Sequence, residues 1–434
     1  MKINARKLAL RILDEISENR EFSHIVLNRT FDSYEIESID RRFISQIVLG
    51  VLENQIRLDY YIRKLSSLRF GRIDQSVINI LRMGLYQLSD MDKIPESAAV
   101  NEAVKLAKAI SPKYGGFVNG ILRQFIRLNK QVELPNKNKH IVTYLSIAYS
   151  YPEWLISLWI DQYGISFTEA LLVANHKIPE LSLRVNTFKT DRETVIKNLE
   201  NQGVIAISSE HLDEGIIIKS MNGNSVKQLN GYEAGDFIIQ DLSSMAVASH
   251  TDVNNGNLII DVCAAPGGKS THFAQKLKNT GCVISRDLQE DKLEKIRDNF
   301  ARLGLSNGRI ESYDASILDE SLVDQADIVV VDAPCSGLGI IRRKPDIKYN
   351  KTPEGLKELE VIQAKILDVS SKYVKPGGKL IYSTCTLNKG ENEDIVDAFL
   401  RSNPSFVLEF TPETFFPNQH GSDGFFIARL IRRS

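Results

Sequence analysis

The chain has 434 residues, 43% hydrophobic and 25% charged, with a net charge of −1; this is the profile of an ordinary soluble protein of two or three domains. No apolar run approaches the ~20 residues a membrane span needs, and the N-terminus lacks the apolar core and cleavage site of a signal peptide. Cys263, Cys282, Cys335 and Cys385 form no C-x-x-C pair, so neither a zinc site nor a disulfide framework is expected. The composition points to a reduced, cytoplasmic, metal-free protein.

Residues 1–130 hold 21 Lys+Arg against 15 Asp+Glu, a surplus of six, while the remainder holds 33 against 40. A basic part joined to an acidic one suggests a polyanion partner for the former; a solvated helical surface accounts for so small a surplus equally well. This first part reads as all helix by 3.6-residue periodicity. In ARKLALRILDEI, Leu8, Ile12 and Ile16 share a face, and RFISQIVLGVLEN, SVINILRMGLYQL, SAAVNEAVKLAKAI and VNGILRQFIR continue the pattern. The polar LPNKNKH (134–140) marks a boundary. Residues 141–235 are mixed, with a helix around WLISLWIDQYG and short strands at LSLRVN and GIIIKS; DFIIQD follows at 236–241.

From 257 onward strands and helices alternate. Strands are expected at NLIIDV, CVISRD, RIESY, DIVVVD and KLIYST, with helices between them. Leu293, Ile296, Phe300 and Leu303 follow the spacing of a buried helical face. This alternation predicts a parallel sheet covered on both faces.

In NLIIDVCAAPGGKSTHF the first of these strands runs through Asp261 into a Gly-rich turn, and a helix begins near Lys269. Glycines let a ligand approach the backbone, and the helix N-terminus offers free N–H groups. A P-loop fails because Cys263 stands where its first Gly is required, and the dinucleotide pattern Gly-x-Gly-x-x-Gly is absent. S-adenosylmethionine remains. Asp287, 19 residues beyond Gly268, ends the second strand, where a carboxylate can accept both ribose hydroxyls; capping the following helix is the alternative. Asp314, after the third strand, is placed to contact the adenine amino group.

The fourth strand ends at Asp332 in DIVVVDAPCSGLG, and the fifth ends just before Cys385 in LIYSTCTLNKGEN. With strands ordered 3-2-1-4-5, the fourth and fifth are neighbours ~4.8 Å apart, their C-terminal ends beside the ligand crevice. Cys335 and Cys385 are thus expected to face one pocket. A lone cysteine at a strand end is most often a small buried hydrophobe, but two beside a methyl-donor site suggest chemistry. Methylation of pyrimidine carbon-5 needs a thiolate to add to carbon-6, because carbon-5 is otherwise a poor nucleophile. An acid must meet ring N3 as it adds, and Asp332 is placed for that.

The motifs DVCAAPGGKS, VVDAPCSGLG with RRKPDIKY following, and YSTCTLNKGENE resemble those of the RNA 5-methylcytosine methyltransferases; QDLSS, LSLRVN and DGFFIARL also fit. The resemblance implies three domains: an all-α N-terminal domain similar to the antitermination factor NusB (1–133), a small α+β linker domain (141–235), and an α/β Rossmann-like class I methyltransferase domain (236–434). It implies 16S ribosomal RNA as partner, a monomer, and no metal or membrane. It also decides between the thiols, which spacing leaves open: Cys385 matches the nucleophile and Cys335 the residue assisting product release. Cys263, Ala264, Ala265, Pro266, Gly267, Gly268, Lys269, Asp287, Asp314 and Asp332 match cofactor-contacting positions, with Asp332 also against the base. The acidic overall balance leaves RNA affinity to local patches such as Arg342, Arg343 and Lys344, for which a solvated loop is the alternative. Two rivals remain: an amino-group methyltransferase, against which the two thiols argue, and a non-catalytic RNA-binding assembly factor, against which the intact thiols and glycine loop argue.

Overall fold

The computed structural model describes residues 4–434; Met1, Lys2 and Ile3, where the predicted N-terminal domain begins, lie outside the described residues. The chain packs as two units. Residues 1–176 and Arg343–Lys351 form one, and Lys177–Arg342 with Thr352–Ser434 form the other.

The first unit is helical: α1 (Ala5–Asn19), α2 (Ser23–Ser33), α3 (Ser38–Glu53), α4 (Gln55–Leu65), α5 (Gln75–Asp90), α6 (Glu96–Ile110), α7 (Pro112–Arg127), α8 (Ile141–Tyr149), α9 (Glu153–Tyr163) and α10 (Ile165–Asn175). Asn4 starts α1 by accepting from Lys7 N at 3.0 Å, and Asp74 starts α5 by accepting from Ser76 N at 3.0 Å, side-chain caps for otherwise orphaned N–H groups. Helix α5 is the hub, buried continuously from Val77 to Leu88 and packed on α1, α3, α4, α6 and α7. Helices α8–α10 join this unit, α8 packing on α4, whereas the sequence pattern groups residues 141–175 with the strands that follow.

Residues 343–351 belong to this unit although they continue directly from the Pro334–Arg342 stretch. Asp346 Oδ2 accepts from Ser23 N at 2.7 Å. The Lys348 ammonium, fully buried, donates to Glu53 O at 2.7 Å and lies 4.3 Å from the Tyr151 ring centroid. Ile347 is buried beside it.

In the second unit a four-stranded antiparallel sheet, ordered β2-β3-β1-β4, contains β1 (Leu181–Val185), β2 (Ile205–Ser208), β3 (Gly215–Ser220) and β4 (Phe237–Ile239). It is crossed by α11 (Arg192–Glu200), and α12 (Leu242–Ser249) follows. The larger sheet then alternates β5 (Leu258–Asp261), α13 (Gly268–Lys276), β6 (Cys282–Asp287), α14 (Glu290–Leu303), β7 (Gly308–Ser312) and β8 (Ala326–Asp332). After the short α15 (Ile347–Asn350) come α16 (Pro353–Ser371), β9 (Val374–Thr384) and α17 (Glu393–Ser402). The order β7-β6-β5-β8-β9 is the expected 3-2-1-4-5, and these strands are parallel.

The sheet is mixed, however, not wholly parallel. After β10 (Phe406–Leu408), β11 (Glu413–Phe415) and α18 (Pro417–His420), the last strand β12 (Phe425–Arg432) runs antiparallel beside β9, with Phe426 opposite Thr384. Its apolar run Phe425–Leu430 is buried and covers what would be an open edge of β9.

The strap 343–351 makes its own prediction. Ile347→Ala should cost the helical unit about 2–4 kcal/mol, the range for deleting a buried aliphatic side chain. Urea unfolding followed by helix circular dichroism should show the lowered midpoint, with S-adenosylmethionine affinity unchanged by calorimetry. An unchanged midpoint would mean that the strap does not support the helices.

Candidate active site

The site is built on the C-terminal ends of β5, β6, β8 and β9. Between β5 and α13, Gly267 takes φ +96° as the N-cap of α13, and a Cβ there would sit 3.2–3.3 Å from Ile296. The turn is fixed from several sides. Ala264 N donates to Arg286 O at 2.8 Å, and Asn299 Nδ2 donates to Pro266 O at 2.9 Å. Beneath it, Arg184 of β1, wholly buried, donates to Gly268 O at 2.5 Å, to Thr271 Oγ1 at 2.9 Å, and to the Gln240 side-chain carbonyl. Arg184 was invisible as a site residue in sequence; the available signal was a charged residue inside the apolar LSLRVN strand.

A cavity of about 550 Å³ opens above this turn, lined by Val262, Cys263, Ala265, Asp287, Leu288, Asp314, Asp332, Pro334, Ile362 and Lys365 among others. That size falls within the range of small-molecule sites. Asp287 Oδ2 accepts from Ala265 N at 3.2 Å and Oδ1 from Gln289 N at 3.3 Å. The carboxylate therefore spans the glycine turn and the chain entering α14, whose N-cap is Gln289 and not Asp287. Asp314 accepts from Ser316 N at 2.8 Å, and that bond holds its pKa below the usual carboxylate value. Burial raises the Cys263 thiol well above its ordinary value.

Asp332 is held at both oxygens, Oδ2 by the Lys269 ammonium at 2.7 Å and Oδ1 by Ser383 Oγ at 2.9 Å. Lys269 also lies 5.0 Å from the Phe425 ring centroid. Beyond Asp332 the chain turns through Pro334, and Cys335 Sγ comes to 3.4 Å from Cys385 Sγ. The Cys335 thiol is pushed well above its ordinary pKa, first by the contact with Cys385 and then by burial. The two loops are pressed together at Gly339, whose N–H donates to Cys385 O at 3.0 Å. A Cβ on Gly339 would overlap Gly424 O at 2.0 Å, so only glycine fits.

The structure thus brings Cys263, Ala265, Asp287, Asp314 and Asp332 to one cavity, leaves Ala264 and Pro266–Lys269 of the same turn off its lining, and sets the Cys335–Cys385 pair just past Pro334 at its rim. Arg342 stands apart. Its guanidinium is buried against Asp423 at 2.8 Å and donates to Gly421 O at 2.9 Å, so it ties down the C-terminal loop and is unavailable to an RNA patch.

The fold and cavity define an α/β methyltransferase carrying a paired thiol. A family model described as "16S rRNA methyltransferase RsmB/F" matches residues 248–431, the NusB family matches 3–127, and a ferredoxin-like domain of RsmF/B-like methyltransferases matches 151–223. A Klebsiella pneumoniae protein named ribosomal RNA small subunit methyltransferase B is 31% identical over 100% of this chain and 99% of its own. A Bacillus subtilis protein named "Probable ribosomal RNA small subunit methyltransferase B" is 34% identical over 100% and 99%. Among solved structures, PH0851 is 25% identical with a TM-score of 0.82 over 99% of each chain. A methyltransferase homologue from Pyrococcus horikoshii is 25% identical with a TM-score of 0.60, over 67% of this chain and 99% of its own. The chain belongs to the RsmB/F family of 16S ribosomal RNA methyltransferases, S-adenosylmethionine-dependent enzymes that here carry an N-terminal NusB domain. No helix among the described residues is long and apolar enough to cross a membrane.

Asp261, at the floor of the site, generates a test. It is fully buried, Oδ2 accepts from Ser270 Oγ at 2.6 Å, and Oδ1 has no partner. Burial foremost pushes its pKa up to about 7 from 3.8. The folded state then keeps a proton that the unfolded chain gives up. This stabilising contribution is complete below about 3.8 and is lost as pH rises through about 7, by at most about 1.4 kcal/mol per pH unit. Relative to wild type, Asp261→Asn should gain stability as pH rises from about 5 to about 8 in urea melts. A difference independent of pH would rule out this titration.

Proposed function

We propose that this enzyme methylates carbon-5 of a cytosine in 16S ribosomal RNA through a covalent bond between Cys385 and carbon-6. The observation that carries the reading is the pair of thiols, 3.4 Å apart, at the ends of adjacent strands beside Asp332. Transfer to a nitrogen or oxygen needs no such pair.

The cavity fits S-adenosylmethionine. Val262, Cys263 and Ala265, at the start of the glycine turn, line it, and Asp287 and Asp314 stand at successive strand ends along its wall. Asp287 would accept the ribose hydroxyls and Asp314 the adenine amino group, while residues Cys263–Lys269 would carry the remaining contacts. Bound there, S-adenosylmethionine supplies the electrophilic methyl group that carbon-5 takes up.

Cys385, as thiolate, adds to carbon-6, and the ring electrons shift toward carbon-5 and N3. Asp332 meets N3, with Lys269 at 2.7 Å as the proton reservoir behind it. When solvent water takes the carbon-5 proton, its bonding pair re-forms the ring double bond, the sulfur–carbon-6 bond breaks with its electron pair on Cys385, and N3 returns its proton to Asp332. Cys335, whose proton is retained by the Cys385 contact and by burial, then donates a hydrogen bond to the departing Cys385 sulfur. This stabilises the leaving thiolate. The basic helical domain is assigned to RNA binding through phosphate contacts.

The two thiols should fail differently. Cys385→Ala should abolish both methylation and any covalent RNA adduct, whereas Cys335→Ala should let the adduct form and accumulate. Denaturing gels with labelled 16S RNA separate the two, and an adduct surviving in Cys385→Ala would overturn the assignment.

Asp287→Ala should act on the cofactor alone. A charged acceptor contributes about 1.5–3 kcal/mol per hydrogen bond, so calorimetry should show S-adenosylmethionine affinity at least roughly tenfold weaker. Wild-type affinity would leave Asp287 as a brace for the glycine turn only.

A further inference from the structure

We propose that Glu391 is the positioning residue that holds the two thiols in register, an inference that rests on the two-thiol reading above. Glu391 ends the one-turn helix Lys389–Glu391, six residues past Cys385, and is wholly buried. A buried carboxylate is costly unless donors surround it, and here the donors come from both cysteine loops.

Glu391 Oε2 accepts from Ser336 N at 2.8 Å and from Gln363 Nε2 at 3.0 Å. Oε1 accepts from Ser336 Oγ at 2.5 Å and from Asn388 Nδ2 at 3.1 Å. Ser336 Oγ is in turn 2.6 Å from Thr386 Oγ1. Ser336 Oγ donates to Glu391, and Thr386 Oγ1, also 3.4 Å from Glu391 Oε1, has its one proton to give to Ser336 or to Glu391 directly. Ser336 follows Cys335 and Thr386 follows Cys385 directly in sequence. The carboxylate and this hydroxyl chain therefore join the residues next to each thiol, although the thiols are 50 positions apart. Gln363 extends the clamp by donating to Pro334 O at 2.9 Å, and the Tyr382 hydroxyl anchors Glu391 itself through its backbone carbonyl at 2.7 Å.

The donors on both oxygens explain why a carboxylate stands here. The amide nitrogen of a glutamine would point an N–H at Ser336 and Asn388 or at Ser336 N and Gln363. One loop would be pushed away while overall shape and volume were kept. A residue serving only stability would lower the melting temperature and leave thiol geometry alone. A positioning residue changes the thiol geometry and the partition between adduct formation and release.

The test uses the full chain carrying Glu391→Gln, with Thr386→Val as a second variant that removes only the hydroxyl link. In Glu391→Gln, kcat for RNA methylation should fall at least roughly tenfold. The RNA KM and S-adenosylmethionine affinity should stay within about twofold, and the fraction of RNA trapped as adduct should rise toward that of Cys335→Ala. Thr386→Val should fall between this variant and wild type, which keeps the test open if Glu391→Gln does not fold. Independently of RNA, the azo oxidant diamide converts neighbouring thiols to a disulfide as it is reduced to the hydrazine. Peptide mapping by mass spectrometry should find the Cys335–Cys385 disulfide forming at least roughly tenfold more slowly in Glu391→Gln. Folded variants with wild-type kcat and wild-type disulfide rate would overturn the proposal, as would a lowered kcat with an unchanged disulfide rate. Should Cys335→Ala form no RNA adduct, the two-thiol reading fails while the disulfide rates still judge the brace.

Discussion

The site depends on the pairing of β8 with β9. These strands are parallel neighbours with Asp332 opposite Ser383, so the chain leaves the sheet twice at the same edge of the crevice. One exit carries Cys335 and the other Cys385. Strand spacing of ~4.8 Å fixes the roots of the two loops, and the remaining problem is to hold their tips together without filling the space a base must enter. Two solutions are present. Gly339 lets backbone pass backbone against Gly424, and the Ser336–Thr386–Glu391 cluster joins the loops from the buried side. Both lie behind the sulfurs.

The cofactor side follows another constraint. A glycine turn that lets a ligand near the backbone has few side chains of its own to hold it. Its support comes from elsewhere: Arg184 and Gln240 from the smaller sheet and its exit, Asn299 from α14, and Arg286 O from β6. Arg184 places a guanidinium on Gly268 O, the first carbonyl of α13. The linker sheet is therefore part of the support of the cofactor turn, not only a spacer between the larger domains. Lys269 is anchored in the same way, shared between the Asp332 carboxylate and the Phe425 ring of β12.

Much of this was legible in sequence. Strand–helix alternation after residue 257 predicted the parallel sheet, and the doubly wound order 3-2-1-4-5 taken for it is the order observed for β5 to β9. That order alone places Asp332, Cys335 and Cys385 together. The antiparallel β12 was not legible, since a side-chain pattern such as DGFFIARL carries no information on strand direction. Arg342 looked like part of an exposed basic run, yet its partner Asp423 lies 81 positions away, and no local pattern announces such a pair. Arg184 and Glu391 were hidden for a common reason. A buried charge is recognisable only through its donors and acceptors, and those of Arg184 come from Gln240 and the Gly268–Thr271 turn, those of Glu391 chiefly from Ser336 and Gln363, all distant in sequence.

The strap 343–351 leaves the catalytic domain to pack with the helices. It begins eight residues after Cys335, and its Asp346, Ile347 and Lys348 are buried within the helical unit. Lys348 has a carbonyl acceptor and an aromatic face there, the partners a desolvated ammonium requires. A chain cut between the helical and catalytic parts would leave this stretch with its apolar and charged side chains stripped of cover. The chain therefore passes between the two units three times, after His176, Arg342 and Lys351. A ligand that rearranged α2, α3 or the Ser150–Tyr151 turn would act on groups that grip the strap directly. Residues Ser336 to Arg342 separate the strap from the thiol, and Glu391, Gly339 and Asp423 fix that stretch at three points.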